Sequence, residues 1–152
     1  MVQDNPNKVS TVQGKSVQNV RISSNSHQCN FIAIFVHQDG QVMVVDHSNC
    51  QTNLLDKQYQ VVSHCSLQSY PYDLCQITSS EVAVTVDDQV NTHEIQLITV
   101  NKRKLVLGKK LQLQQRCTGI AFQQEELYIT ADTALYKYTA SGKQVSKMYE
   151  DT

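Results

Sequence analysis

Hydrophobic and polar residues alternate along most of the chain in short segments that polar turns separate. The clearest example is Cys117–Gly142, where an apolar segment, a turn, an alternating segment, a second turn and a third alternating segment follow one another. Alternation with a period of two is typical of β-strands that bury one face. The pattern predicts most of a four-stranded antiparallel unit, and weaker copies of it occur twice upstream.

The alternation predicts three such units, at about 29–65, 70–113 and 117–149. In the first unit, Phe31–Val36 and Gln41–Asp46 flank an Asp-Gly turn, which favours a hairpin because glycine accepts positive φ. His47–Thr52 reads as a polar loop, and 54–62 as two outer strands around a tight turn. Before the units, we expect a flexible polar tail at 1–15 and an edge strand at Ser16–Ile22.

The later units repeat this arrangement. The predicted strands of the second unit are Asp73–Thr78, Glu81–Val86, Glu94–Val100 and Lys104–Leu107, and those of the third are Thr118–Phe122, Leu127–Thr130, Ala134–Thr139 and Lys143–Met148. Val42, Val82 and Leu127 occupy corresponding positions, separated by 40 and 45 residues. Four short strands per repeat at this period indicate propeller blades.

We therefore predict an all-β fold, a partial β-propeller of about three four-stranded antiparallel blades over residues 16–152. Propellers usually close with at least four blades. Three blades leave a blade face open at each end, so self-association through these faces is expected.

Composition adds one local feature. The net charge is −1, with 18% charged residues, so no overall field attracts the chain to nucleic acid or to an anionic membrane. Six basic residues nevertheless cluster within fifteen positions: Lys102, Arg103, Lys104, Lys109, Lys110 and Arg116. A solvated hairpin explains them most simply, and an RNA-binding patch is the alternative, although no aromatic residues are interleaved with them.

The five cysteines do not form a zinc motif, because no Cys-x2-Cys pair occurs. Cys29, Cys75 and Cys117 each fall at the first strand of a unit, where a buried thiol packs well. The odd number of cysteines fits a cytoplasmic protein with free thiols, and no segment is apolar enough for a membrane helix. The Asp87–His93 loop could supply calcium ligands but fits a solvated turn better. No metal or cofactor is expected.

The repeats resemble the C-terminal region of invertebrate tripartite-motif (TRIM) proteins, RING-type ubiquitin ligases with an NHL-like propeller. In the third unit the resemblance lies in Cys117-x-Gly119-Ile120-Ala121, Leu127–Thr130 and Thr133-Ala134-Leu135-Tyr136-x-Tyr138. The second unit contributes Asp73–Ile77, Glu81–Val84 and Asn91–Glu94, and the first contributes Gly40–Val42, Asp46, Asn49 and Leu54–Asp56. Thr52 and Cys50 depart from the family pattern, which usually has a β-branched apolar and a basic residue there.

The resemblance implies a protein-interaction module that recognises a partner or a ubiquitination substrate. It implies no catalysis of its own, because the ligase reaction needs a RING domain whose zinc array this sequence lacks. The alternatives are an RNA-binding NHL-like propeller fragment, with contacts from Lys102, Arg103, Lys104, Lys109 and Lys110, and a fragment of a gluconolactonase-like hydrolase. Partner-binding residues are expected in the loops between strands: Asp46, His47, Asn49, Tyr70, Tyr72, Asp87, Asp88 and Asp132.

Overall fold

The computed structural model describes residues 20–152, which contain twelve β-strands and no helix. In chain order the strands are β1 Phe31–Val36, β2 Val42–Asp46, β3 Gln51–Leu55, β4 Val61–Ser66, β5 Pro71–Gln76, β6 Glu81–Asp87, β7 His93–Asn101, β8 Lys104–Gln112, β9 Ile120–Gln123, β10 Glu126–Ala131, β11 Ala134–Thr139 and β12 Gln144–Glu150. The predicted tail and most of the predicted edge strand lie outside the described residues. Val20–Ile22, the end of that predicted strand, forms no strand.

The strands form three antiparallel sheets of four, each made of strands that follow one another in the chain. Blade 1 contains β1–β4, blade 2 contains β5–β8 and blade 3 contains β9–β12. The first strands of neighbouring blades contact each other, so that β5 lies between β1 and β9. The predicted all-β, partial-propeller fold is confirmed.

Most strand predictions are close to the structure, and two of them, Phe31–Val36 and Ala134–Thr139, are confirmed residue for residue. The prediction of a loop over His47–Thr52 is wrong at its end, since β3 begins at Gln51. Gln51 and Thr52 are polar yet buried, and the Gln51 amide donates to Asn25 Oδ1 at 2.7 Å. A paired polar side chain can occupy the interior, where the alternation pattern does not reveal it.

Two apolar clusters join the blades. Between blades 1 and 2, Phe35, Met43 and Val45 pack against a group that includes Val84 and Ile98. Between blades 2 and 3, the corresponding cluster is formed by Ala83, Ile95, Leu111, Leu113, Cys117, Ile120, Leu127, Ile129 and Tyr138. Blade 2 therefore buries both of its faces, as expected for an internal repeat of a propeller.

Polar contacts tie blade 2 to blade 3 near the first strands. The Asp73 carboxylate accepts the backbone N–H of Ile120 at 3.0 Å. The Thr85 hydroxyl donates to the Thr118 carbonyl at 2.7 Å and accepts the Asp73 N–H at 3.1 Å. These hydrogen bonds fix the position of one blade on the next, which apolar packing alone would leave less specific.

Candidate functional site

The connections between strands gather at two ends of the blades, because each strand of an antiparallel sheet reverses direction. We define the loop face as the turns 47–50, 88–92 and 132–133 together with the inter-blade connections 67–70 and 113–119. Direct contacts between blades, described below, show that these segments lie together. Except for Asp46 and Asp87 at strand ends and Tyr72 in β5, all the predicted partner-binding residues lie in these segments.

Three aromatic side chains, those of His47, Tyr70 and Tyr72, pack together at the loop face. The His47 ring stacks on Tyr70, with ring centroids 5.2 Å apart, and meets Tyr72 edge-on at 5.0 Å. His47 Nδ1 donates to the Pro71 carbonyl at 2.7 Å, which holds the ring across the boundary between blades 1 and 2. Tyr70 remains 46% exposed. This arrangement is rigid and amphipathic, as is common where proteins bind other proteins.

Where blades 2 and 3 meet at the loop face, the buried carboxylate of Asp87 contacts several surrounding residues. Its carboxylate accepts the backbone N–H groups of Gln89 at 2.6 Å and Cys117 at 2.8 Å. His93 Nδ1 lies 2.9 Å from the same carboxylate and donates to it, and the Arg116 guanidinium is 3.5 Å away. Arg116 also pairs with Asp132 at 2.7 Å, so one arginine connects blades 2 and 3.

The ionisation of Asp87 reflects these donors. Burial by itself would raise the pKa of the carboxyl, but the hydrogen bonds from Cys117, His93 and Gln89 outweigh it and hold the pKa below its ordinary value. Asp46 behaves in the same way, since the N–H of Asn30 and the amide of Asn49 oppose the effect of burial on its pKa. Both carboxylates are therefore charged near neutral pH.

Asp46 and Asp87 are fully buried, so the prediction that they contact a partner needs correction. Their oxygens are occupied by neighbouring donors of the chain itself: Asn30 N–H at 3.0 Å and Asn49 Nδ2 at 2.8 Å for Asp46, and the donors above for Asp87. A partner cannot reach either carboxylate directly. They act as positioning groups that fix the shape of the turns.

The remaining predicted residues are accessible. Asn49 bonds both the N–H and the carbonyl of His27, and Tyr72 accepts a hydrogen bond from the Gln89 amide at 3.1 Å. Asp88 accepts the N–H groups of Thr92, Val90 and Asn91, each at 2.8 Å, and these bonds lower its pKa to about 2. Its turn therefore has a fixed shape, as in other turns capped by aspartate.

The predicted basic cluster divides between two regions. Arg116 belongs to the loop face and is paired with Asp87 and Asp132. Lys102 and Arg103 form the β7–β8 turn at the opposite end, and the lysines of β8 (Lys104, Lys109 and Lys110) lie on the outermost strand of blade 2. Arg103 and Lys110 face Asp56 and Glu94 at 3.6 and 3.7 Å. The cluster therefore carries less unbalanced charge than the sequence suggests.

The cysteines are all free thiols. Burial, followed by the nearby Asp73 or Asp87 carboxylate, raises the pKa of Cys75 and of Cys117 to about 12, so both thiols stay protonated. The Cys117 thiol lies near the carbonyls of Val86 and Glu94 and packs between blades. Within residues 20–152, no group of three His, Cys, Asp or Glu side chains is arranged to hold a metal ion, and no helix is long and apolar enough to span a membrane.

Sequence reasoning missed three residues of the site. The sequence alone places Arg116 in the basic cluster and Gln89 and His93 in a polar loop, whereas all three contact the Asp87 carboxylate, which lies 29 residues from Arg116. The signal that could have found His93 is the Asp87-Asp88 pair followed by a histidine six residues later, which places the imidazole opposite the carboxylate across the β6–β7 turn.

The three stacked four-stranded meanders define a β-propeller scaffold. Comparison with solved structures supports this class. The chain is similar to virginiamycin B lyase from Staphylococcus aureus, with a TM-score of 0.63 and 17% identity over 83% of this chain and 43% of that chain. A catalytically inactive variant of that lyase, solved with quinupristin, matches at the same TM-score with 19% identity over 88% and 45% of the two chains.

A second scaffold of the same class is the β-propeller domain of Cps50 (Swd1) from Myceliophteria thermophila. Its TM-score is 0.63, with 15% identity over 85% of this chain and 48% of that chain. The chain thus spans less than half the length of each of these propellers. No family model matches it, and no curated protein matches it by sequence.

Proposed function

We propose that this chain is a protein-interaction module and that it binds its partner through the loop face. The observation that carries the proposal is the group of His47, Tyr70 and Tyr72, whose rings pack against one another where the 47–50 turn meets the start of β5. Such rings supply contact area at low entropic cost. The buried carboxylates of Asp46 and Asp87 preorganise the surrounding turns, which further reduces the cost of binding.

Electrostatics favours a protein segment over RNA at this face. The loop face and the strand ends beneath it contain the carboxylates of Asp46, Asp87, Asp88 and Asp132 against the single guanidinium of Arg116. A phosphate backbone would be repelled there, whereas a neutral or basic peptide would not. Recognition of a ubiquitination substrate, the role implied by the TRIM resemblance, is a narrower form of this proposal.

Affinity capture followed by direct binding tests the proposal. Proteins retained from a cell extract by the wild-type chain would be identified, purified and titrated against Tyr70→Ala, Tyr72→Ala and the control Tyr59→Ala. Tyr59 is 53% exposed but lies in the β3–β4 turn at the opposite end. We expect each loop-face variant to bind at least about tenfold more weakly, as for the loss of an aromatic anchor, and Tyr59→Ala to bind as the wild type.

Equal binding by the Tyr70 and Tyr72 variants, with unchanged thermal melting, would contradict the proposal. Titration with single-stranded RNA at several salt concentrations tests the RNA-binding alternative. RNA affinity that falls steeply with salt, and that Lys104→Ala together with Lys109→Ala removes, would favour the RNA-binding alternative instead.

A further inference from the structure

The first strand of blade 1 exposes a row of apolar side chains. Ile34 is 63% exposed and Val36 is 60% exposed, and Phe31 and Ile32 lie beside them around a shallow apolar depression that also includes Val44. Residues 25–29 extend over part of the same blade, where Asn25 bonds Gln51. The open surface is therefore concentrated along β1, and we call it the β1 strip (Phe31, Ile32, Ile34 and Val36).

The register of the sheets shows what the β1 strip corresponds to in the other blades. Ile34 pairs with Val44, as Leu74 pairs with Val84 and Ile120 with Ile129. Leu74 packs into the cluster that joins blades 1 and 2, and Ile120 into the one that joins blades 2 and 3. Ile34, at the centre of the β1 strip, therefore occupies the position that contacts the preceding blade in blades 2 and 3.

The outer side of blade 3 is the matching surface. Tyr128 and Leu135 there occupy the register positions of Ala83 and Ile95, which pack against blade 3 from blade 2. Lys137 and Glu126 on this side pair at 2.7 Å and so neutralise each other.

Blade 3 also has a polar group where blade 2 makes a hydrogen bond to the next blade: the hydroxyl of Thr130 corresponds to that of Thr85. Thr85 accepts the N–H of Asp73 in its own blade and donates to Thr118 O of the next blade. Thr130, at the equivalent register position, accepts the N–H of Gly119 at 2.9 Å and is exposed on the outer side of blade 3. A following blade would bring a backbone carbonyl to the place that Thr118 O occupies beside Thr85.

We propose that two copies of this chain close a six-bladed ring, with blade 3 of each copy packed on the β1 strip of the other. The chain spans 43–48% of the propellers it resembles, so two copies supply approximately one complete ring. Six blades fall within the range in which propellers close. A two-fold axis along the centre of the ring relates the two copies. The contact between blade 3 and the β1 strip therefore occurs twice, and no blade face remains open.

The oligomeric state in solution, measured by light scattering and sedimentation velocity, tests this arrangement. We expect a wild-type dimer at micromolar concentration, and dimerisation at least about a hundredfold weaker in Ile34→Glu and in Leu135→Glu, because each buries a charge in the contact. Val106→Glu is the matched control, since Val106 is a 43% exposed strand residue on β8, away from both surfaces. It should remain dimeric.

Mixing the two disrupted variants distinguishes the ring from other dimers. Ile34→Glu retains an intact blade 3 and Leu135→Glu an intact β1 strip, so an equimolar mixture should recover a dimer through one unaltered contact. A monomeric wild type, a dimer that Leu135→Glu leaves intact, or a mixture that stays monomeric would each overturn the proposal. Circular dichroism melting confirms in each case that the variants are folded.

Discussion

Asp87 connects segments that are distant in the sequence through a single buried carboxylate. It receives hydrogen bonds from Gln89, His93 and Cys117, which lie in the β6–β7 turn, at the start of β7 and in the connection to blade 3. A charge taken out of water is tolerated only when such donors replace its hydration. The shape of the loop face thus depends on a residue that never reaches its surface.

Asp87→Asn should therefore lower the free energy of unfolding without changing the fold. The amide nitrogen would face one of the donors that now point at the carboxylate, and we expect the free energy of unfolding to fall by about 2 kcal/mol. Urea denaturation at pH 7 measures the change. Asp132→Asn is the control, because Asp132 is largely exposed, and a similar loss in both variants would contradict this role for Asp87.

The same chemistry predicts how stability depends on pH. Asp46, Asp87 and Asp88 have pKa values below the ordinary 3.8, that of Asp88 at about 2. A carboxyl with a lowered folded-state pKa stabilises the fold above its unfolded pKa and loses this contribution as pH falls through the folded value. Stability should be nearly constant from pH 5 to 7 and decline below about pH 4. Asp88→Asn should show a shallower decline in urea titrations between pH 4 and 2, and an unchanged slope would contradict this assignment.

At the scale of single strands, prediction from the sequence worked where turn residues bound an apolar or an alternating segment. β1 is a continuous apolar run and β11 alternates, and the sequence predicts both residue for residue. β3 was predicted to begin too late because its buried Gln51 and Thr52 are polar. β8 was predicted to end at Leu107 but reaches Gln112, since its middle consists of exposed residues that carry no alternation.

The candidate site was less predictable for a related reason. Turn-forming residues indicated where the loops lie, so Tyr70, Asn49 and Asp132 were named from local sequence. Whether a given aspartate is exposed or buried depends on donors from other blades, as with Asp87 and Cys117, which are 30 residues apart. No local pattern encodes such a contact.

Gly119 shows how the start of β9 depends on close backbone approach. A Cβ at this position would lie 2.5 Å from Thr130 Oγ1, the same hydroxyl that accepts the Gly119 N–H. We expect Gly119→Ala to displace the Thr130 side chain, break this hydrogen bond and destabilise the chain by about 1–2 kcal/mol. Urea denaturation would measure the loss.

The double variant provides the internal control. With Thr130→Ala already present, the added methyl group of Gly119→Ala meets no hydroxyl, so its further cost should be smaller than in the wild-type background. Strictly additive losses in the two single variants would show that the close approach between Gly119 and Thr130 is not the cause.

For the whole molecule, blade 2 carries the contacts that hold the three blades together. Its strand β7 supplies Ile98 to the cluster with blade 1 and Ile95 to the cluster with blade 3, and both side chains are fully buried. In proteins built from repeats, stability is close to a sum of repeat and nearest-neighbour terms. The two isoleucines therefore stabilise different ends of the molecule.

Ile98→Ala and Ile95→Ala test this division as a matched pair on one strand. Each should cost about 2–4 kcal/mol through the lost packing and the cavity that remains. Hydrogen exchange should show faster opening of blade 1 in Ile98→Ala and of blade 3 in Ile95→Ala. Equal acceleration throughout the chain in both variants would indicate a single cooperative unit instead.

The order of the strands within each blade also affects how the chain folds. Every strand pairs only with strands adjacent to it in the sequence, so each sheet can form by closing short loops. During synthesis, β1–β4 can pair before β5 leaves the ribosome, and each later blade then finds a finished template to pack on. Folding during synthesis should therefore proceed from blade 1 through blade 2 to blade 3.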